Sequence, residues 1–329
     1  MRDFIASFYL SKPDSSIAGF ALTWTLALLA LVSLAACRRQ SRESVRQAST
    51  PELLRLRANL ALVPAEARIV MSLDLDRLRT TALGRNLLSG PAKEAGLLAG
   101  DFAKGTGLDP LEQARQVLIA VPGERQDDDR LVLVAEFRAL DRMRATAWLG
   151  ERRDGKTAAF VVGPDRIVIA TGAWAAEVAS LAKPTGRGQS ADDDEELRRL
   201  CERSAGPHVF WLAAVLPTPL RHRLMAETRF PDVASLARLS AALDVEAGLR
   251  ADIVGELSNE ADARSLAHRL SAFLNAAKHH PDMLAQGLAP YLDAVRLGAQ
   301  GPNLNAHLEL PAAQAEDLVL RAGDLLHPR

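Results

Sequence analysis

The sequence predicts an α+β protein of two similar halves, each a mainly antiparallel sheet of about five strands covered by helices on one face. Three observations predict it. Short Val-, Ile- and Leu-rich runs are joined by tight turns, and such neighbours pair antiparallel because a parallel neighbour needs a long crossover. Stretches with apolar residues at helical spacing separate the strand pairs. The order strand, helices, strand pair, helix, strand pair, helix occurs twice, at an offset of roughly 120 to 140 residues.

In the first half, 58–183, strands are expected at 69–75, 117–121, 131–137, 158–162 and 167–170. Gly163-Pro164-Asp165 marks a tight hairpin and Asp127-Asp128-Asp129 a looser one. The region 76–104 reads as helix broken by Gly84, Gly90, Pro91, Gly96 and Gly100. Leu140, Met143 and Ala147 share one helix face, as do Trp174, Val178 and Leu181. Residues 183–194 (KPTGRGQSADDD) have no periodicity, so 184–204 is expected to be a linker and a short helix.

The second half, 205–329, opens with a strand at 209–216, followed by helical material carrying Leu220, Leu224, Leu236 and Leu239, broken by Pro219 and Pro231. Residues 243–257 alternate: odd positions are apolar or Gly, whereas Asp244, Glu246, Arg250, Asp252 and Glu256 are even, so one face is buried and one is wet. A hairpin loop at 247–249 would set Glu246 opposite Arg250. A helix over 259–278 presents Leu266, Leu270, Phe273, Leu274 and Ala277, with Ser258 or Asn259 as cap and Glu260 and Asp262 at its positive end. Strands at 295–299 and 304–310, joined at Gly301-Pro302-Asn303, precede a last helix with Leu318, Val319, Ala322, Leu325 and Leu326 on one side. Its alternation predicts a second-half sheet with helices on one face and charge on the other.

Charge narrows the function. Lys plus Arg total 40 and Asp plus Glu 41 among 329 residues, so the chain lacks the basic excess that neutralising nucleic-acid phosphates requires. Two cysteines make neither a disulfide framework nor a four-cysteine zinc site.

Residues 17–36 (IAGFALTWTLALLALVSLAA) are uncharged and as a helix reach about 30 Å, enough to enter a bilayer. The run ends in Leu34-Ala35-Ala36-Cys37, which resembles the lipobox of bacterial lipoproteins. The resemblance covers these four residues and the run before them. It implies that 1–36 is a signal peptide, that Cys37 becomes the lipidated first residue, and that its acyl chains make the bilayer a partner. Residues 37–57 are then the lipidated cysteine and a polar tether. Arg38 stands where an inner-membrane retention Asp would stand, so the resemblance implies the outer membrane, with the body in the periplasm or exterior. An uncleaved inner-membrane anchor is the alternative topology, because Arg38, Arg39, Arg42 and Arg46 follow the run.

No catalytic, cofactor or metal residues are expected. Cys201 follows Leu197 and Leu200 at helical spacing, as a small packed side chain would. His279-His280 with Asp282 and His268 reads as a solvated helix end, and His307 lies on the polar parity of its strand. Ser180-Leu181-Ala182-Lys183 lacks the companion Lys-Thr-Gly strand of penicillin-binding enzymes. Gly105-Thr106-Gly107 is a turn without the further glycines of a phosphate loop. The acidic triplets 127–129 and 192–194 lack calcium-loop spacing and read as solvated loops. The expectation is a non-enzymatic binding or scaffold module for an envelope protein or an apolar ligand. An exported enzyme whose site is assembled from distant residues is the competing class.

Overall fold

The computed structural model describes residues 49–89, 106–123, 129–150, 157–183, 188–228 and 230–326. The expected export segment, Cys37 and most of its tether lie outside these, as do Gly90 to Gly105, Asp127, Asp128 and residues 184–187.

The described residues open with helix α1 (Thr50–Leu60), inside the segment expected as tether. The Ser49 backbone N–H and hydroxyl both donate to the Glu52 carboxylate, at 2.7 and 2.9 Å, closing the first turn. The backbone bond comes first among the causes holding Glu52 below the usual carboxylate range. Leu56 and Leu60 of α1 are buried, which a solvated tether would not allow.

The first half continues with β1 (Ile69–Asp74), α2 (Leu75–Thr80), α3 (Ala82–Ser89), α4 (Pro110–Gln113), β2 (Ala114–Val121), β3 (Leu131–Phe137), α5 (Arg142–Gly150), β4 (Thr157–Val162), β5 (Arg166–Thr171) and α6 (Trp174–Leu181). Helix α7 (Glu195–Ser204) leads into the second half: β6 (Phe210–Val215), α8 (Thr218–Thr228), a 3-10 turn at Pro231–Ser235, β7 (Leu236–Asp244), β8 (Gly248–Leu257), α9 (Glu260–Lys278), α10 (Pro281–Ala285), α11 (Ala289–Leu292), β9 (Val295–Gln300), β10 (Asn303–Pro311) and α12 (Ala312–Leu326).

All these strands join one ten-stranded antiparallel sheet, in the order β4-β5-β3-β2-β1-β6-β7-β8-β10-β9. This corrects the expectation of two sheets. From the centre outward the order is β1-β2-β3-β5-β4 on one side and β6-β7-β8-β10-β9 on the other, so the strands of the halves do not interleave. The seam is the β1–β6 ladder, with Met71 opposite Leu212. Two separate sheets would each leave a first strand with an open row of N–H and C=O groups, and the seam pairs those rows with each other.

Residues opposite each other in an antiparallel ladder share a face, so the register follows the two faces across the molecule. One face carries Leu73, Val117, Ala135 and Ile167 and, beyond the seam, Leu212, Ala251, Ile253 and Leu308; α2, α3, α5, α8, α9, α11 and α12 cover it. The opposite face carries Val70, Leu118, Val134, Val168 and Trp211, packed beneath α1, α6 and α7. The first half is therefore covered on both faces, not on one as expected. Among the described residues the second half is covered on one.

Three local readings change as well. Leu236 and Leu239 lie on β7 rather than on a helix, because LARLSAALD is paired along both edges, with β6 and with β8. Its turn comes earlier than expected, and Asp244, not Glu246, stands opposite Arg250. On α5 the buried side chains are Ala145, Trp148 and Leu149, whereas Met143 is 85% exposed. The linker is partly docked: Pro64 bridges to Ser190, and the buried Ala191 donates its N–H to the Val63 carbonyl at 2.8 Å. Asp193 accepts from the Ser190 N–H and hydroxyl, and Asp194 caps α7 through the N–H groups of Glu196 and Leu197. These two acids are helix-start chemistry, not a free loop.

Candidate functional site

The feature that breaks the likeness of the halves is the position of their closing helices. After β5, Gly172 (φ 62°) and Ala173 turn the chain so that α6 lies on the α1/α7 face, with Trp174 and Val178 buried there. After β10, α12 starts with no spacer and packs Ala315 and Leu318 on the other face, against Leu308 and Leu310. Among the described residues no helix covers the face of β7, β8, β10 and β9 that α6 would cover by analogy, and it forms a broad trough of about 2200 Å³, walled on one side by α7.

Its floor consists of cross-strand rows, and each can be read from the register. Asp244, Arg250 and Glu309 form one row, and Ala242, Asp252, His307 and Arg296 the next. Ser240, Val254, Asn305 and Gly298 form the third, a small and uncharged strip, and Arg238, Glu256, Asn303 and Gln300 the fourth. Opposite signs face each other at Asp244/Arg250/Glu309, Asp252/His307 and Arg238/Glu256, as favourable ladders require, whereas His307 and Arg296 are two basic neighbours. Arg250 Nε donates to Asp252 at 3.0 Å, and His307 Nδ1 lies 2.6 Å from Asp252 Oδ1 and its Nε2 3.7 Å from Glu309. Arg238 bridges Glu256 on the floor and Glu196 on the α7 wall. His208 Nδ1 closes the rim on Asp244 at 2.8 Å.

The electrostatics follow from this pairing. The hydrogen bond that His307 donates to Asp252, with the charge of that carboxylate, outweighs desolvation and raises His307 above the usual histidine value. Burial alone would raise Asp252, but His307 and Arg250 together hold it below the usual aspartate range. The charges neutralise one another along the strands instead of converging on a point, so the floor has neither a nucleophile with its base nor an acid–base pair poised on a cleft. Among the described residues no group of three or more His, Cys, Asp or Glu could hold a metal ion.

The other residues weighed from sequence fall elsewhere. Cys37 lies outside the described residues. Cys201 is fully buried beside Leu197 and Leu200, and burial pushes its thiol far up, which keeps it protonated and inert. His279 and His280 are exposed at the end of α9, and His307 lies on the polar face as its parity predicts. Asn259 is the cap of α9, accepting from the Asp262 N–H at 2.9 Å. Among the described residues no helix is long and apolar enough to cross a membrane.

Sequence reasoning missed one buried ionic cluster. Glu136 on β3 is 3% exposed; it accepts from Asn59 Nδ2 at 2.9 Å and lies 3.4 Å from Arg55 and 3.6 Å from Arg166. Desolvation raises it above the usual glutamate range despite the two guanidiniums. A carboxylate among apolar positions of 131–137 was the available signal. The cluster pins α1 onto the sheet, and α1 covers it from solvent.

No protein-family model matches this chain, and no curated protein matches it. Among solved structures it is similar to the Treponema protein TP0453 in two crystal forms. Crystal form III aligns with a TM-score of 0.42 and 12% identity over 80% of this chain and 97% of that one. Crystal form I aligns with a TM-score of 0.41 and 10% identity over 79% and 96%. At these values no residue role is transferred.

Proposed function

We propose that the protein is an exported lipoprotein, held in the cell envelope by acyl chains on Cys37, whose α+β body is a non-enzymatic binding or scaffold module. The observation that carries the module reading is the open face of β7, β8, β10 and β9, where ionisable groups pair across strands and spread over a surface instead of gathering in a pocket. Such a floor suits contact over a wide area. Covering it with the apolar stripe of a helix would desolvate its ion pairs at a cost of several kcal/mol per ion, so its sequence suits a polar partner and not a packed helix.

The anchor rests on the uncharged run 17–36 ending in Leu34-Ala35-Ala36-Cys37, and the outer membrane on Arg38 in place of an acidic retention residue. The repeated strand order further supports reading the body as two copies of one unit that came to share a sheet through β1 and β6.

Metabolic labelling with a fatty-acid analogue, together with intact-mass analysis, tests the anchor. The parent is expected to take up label and to lack residues 1–36, while Cys37→Ser stays unlabelled and unprocessed. A mature protein that retains residues 1–36 would refute the proposal and establish the uncleaved inner-membrane anchor instead.

A further inference from the structure

We propose that two copies of this chain pair edge to edge through β9, antiparallel about a twofold axis at Gly298, so that their sheets run on as one. β9 ends the sheet, and among the described residues nothing pairs with its outer side. It carries no Pro, Lys or acidic residue, and its register with β10 runs without a bulge, so it lacks the devices that keep edge strands apart. β4, at the other end of the sheet, lies between α5 and α6, whereas β9 has α9 on one face and the trough floor on the other.

The phase of the ladder determines which backbone groups face outward. Gly301 and Pro302 make a two-residue turn, and such a turn closes on a hydrogen-bonded pair, here Gln300 and Asn303. Bonded and non-bonded pairs alternate, so Gln300, Gly298 and Arg296 bond to β10 while Leu297 and Ala299 turn their N–H and C=O groups away from it. The Pro302 carbonyl accepts from the Leu257 N–H of β8 at 2.9 Å, on the opposite side from Asn303, as this alternation requires. Val295 shares the outward phase but is fully buried, so the accessible edge starts at Leu297.

That edge is complementary to itself. A twofold at Gly298 pairs each Leu297 with Ala299 of the other copy, for about four ladder bonds in all, whereas a twofold at Leu297 would call on the buried Val295. Opposed residues share a face: Leu297 meets Ala299 on the helix-covered side, and Arg296 meets Gln300 on the trough side, which keeps the two Arg296 side chains about 14 Å apart along the strands. Gly298 meets Gly298. Its φ is not positive and an added Cβ would meet nothing within 4 Å, so among the described residues nothing requires a glycine there. A glycine inside a strand marks the close approach of another backbone.

The axis is normal to the sheet, so both α1 helices lie on one side of it and the two trough floors join as one surface of eight strands. The small strip of Ser240, Val254, Asn305 and Gly298 then continues into its twin. A contact of this size is at the weak end of specific interfaces, and chains anchored in one bilayer would meet at a raised effective concentration. The pairing itself rests on neither the anchor nor the module reading.

Disulfide trapping of the full-length protein in detergent, with peptide mapping, tests it. Gly298→Cys should give a covalent dimer linked 298 to 298, because opposed non-hydrogen-bonded positions bring Cβ atoms to about 4.5–5.5 Å. Arg296→Cys alone should link about fivefold less or lower, its twins being about 14 Å apart, while a mixture of Arg296→Cys and Gln300→Cys chains should link 296 to 300. Ala299→Pro in the Gly298→Cys chain removes an outward N–H without touching the β10 ladder and should cut the yield about fivefold or more at an unchanged urea midpoint. Gly298→Lys, whose side chain enters open space in its own chain, sets like charges face to face and should do the same to the 296–300 link, which keeps the test decisive if Ala299→Pro unfolds. No 298–298 link, a dimer linked only through Cys37, an Arg296→Cys yield equal to that of Gly298→Cys, or a 296–300 yield indifferent to Gly298→Lys would each overturn the proposal.

Discussion

Replacing Gly248 with Ala tests the junction that sends α12 away from the trough. Gly248 opens β8 with φ +137°, opposite Pro311 at the end of β10. A Cβ there would stand 2.1 Å from the Leu310 carbonyl oxygen and 3.1 Å from the Ala312 nitrogen, the first residue of α12. Both neighbours are backbone, so no side-chain rotation relieves the contact, and the end of the β8–β10 ladder must move by about 1 Å. A left-handed backbone at a non-glycine residue costs about 1–3 kcal/mol, and overpacking a further 1–3. We expect Gly248→Ala to destabilise by about 2–6 kcal/mol, which at an m-value near 3 kcal/mol/M lowers the urea midpoint by about 0.7–2 M. Gly298 on β9 is the control: nothing lies within 4 Å of its added Cβ and its φ is not positive, so Gly298→Ala should be neutral or stabilising by about 0.5–1 kcal/mol. A Gly248→Ala midpoint within about 0.2 M of the parent, or an equal fall for Gly298→Ala, would refute the reasoning.

Three further outcomes follow from the core and from the titrating pairs. Trp174→Ala, which empties a fully buried site beneath α6, should cost about 3–5 kcal/mol in urea unfolding, whereas Met143→Ala at an exposed site should stay within about 0.5. Glu136 is raised above its ordinary 4.5, so the native state holds the extra proton, and stability falls as pH rises from that value through the folded pKa. Glu136→Gln keeps an acceptor for Asn59 and should flatten this slope in pH-dependent unfolding without loss of stability at pH 7; an unchanged slope would count against the assignment. His307 is raised above 6.5, so its pairing with Asp252 stabilises fully below that value and the contribution is lost as pH rises through the folded pKa. Ring titration by NMR should show the elevated value returning toward 6.5 in Asp252→Asn, and no change on that substitution would exclude the pair as its cause.

What the sequence by itself determined is what depends on near neighbours. Alternation at 248–257 and 303–311 specified strands with one buried and one wet face, and the bare polar face of the second half is that parity carried into the fold. Helix α9 and its Asn259 cap were legible for the same reason: cap, acidic first turn and apolar spacing all lie within a few residues of one another. Tertiary structure decided what distant partners settle. Residues 236–244 are rich in Leu and Ala, good helix formers, and become a strand because β6 and β8 pair both of their edges. Ladder bonds between β1 and β6 join residues some 140 apart and turn two expected sheets into one, and no local pattern encodes that pairing. Glu136 reads in sequence as a flaw in an apolar strand and in the fold as the anchor of α1, because Asn59, Arg55 and Arg166 reach it from three other elements. The side taken by α12 was equally out of reach: its apolar stripe fits either face of a sheet, and the side is read only from Ala315 and Leu318 packing on Leu308 and Leu310, with Gly248, 64 residues before the helix, admitting the close backbone approach at its start.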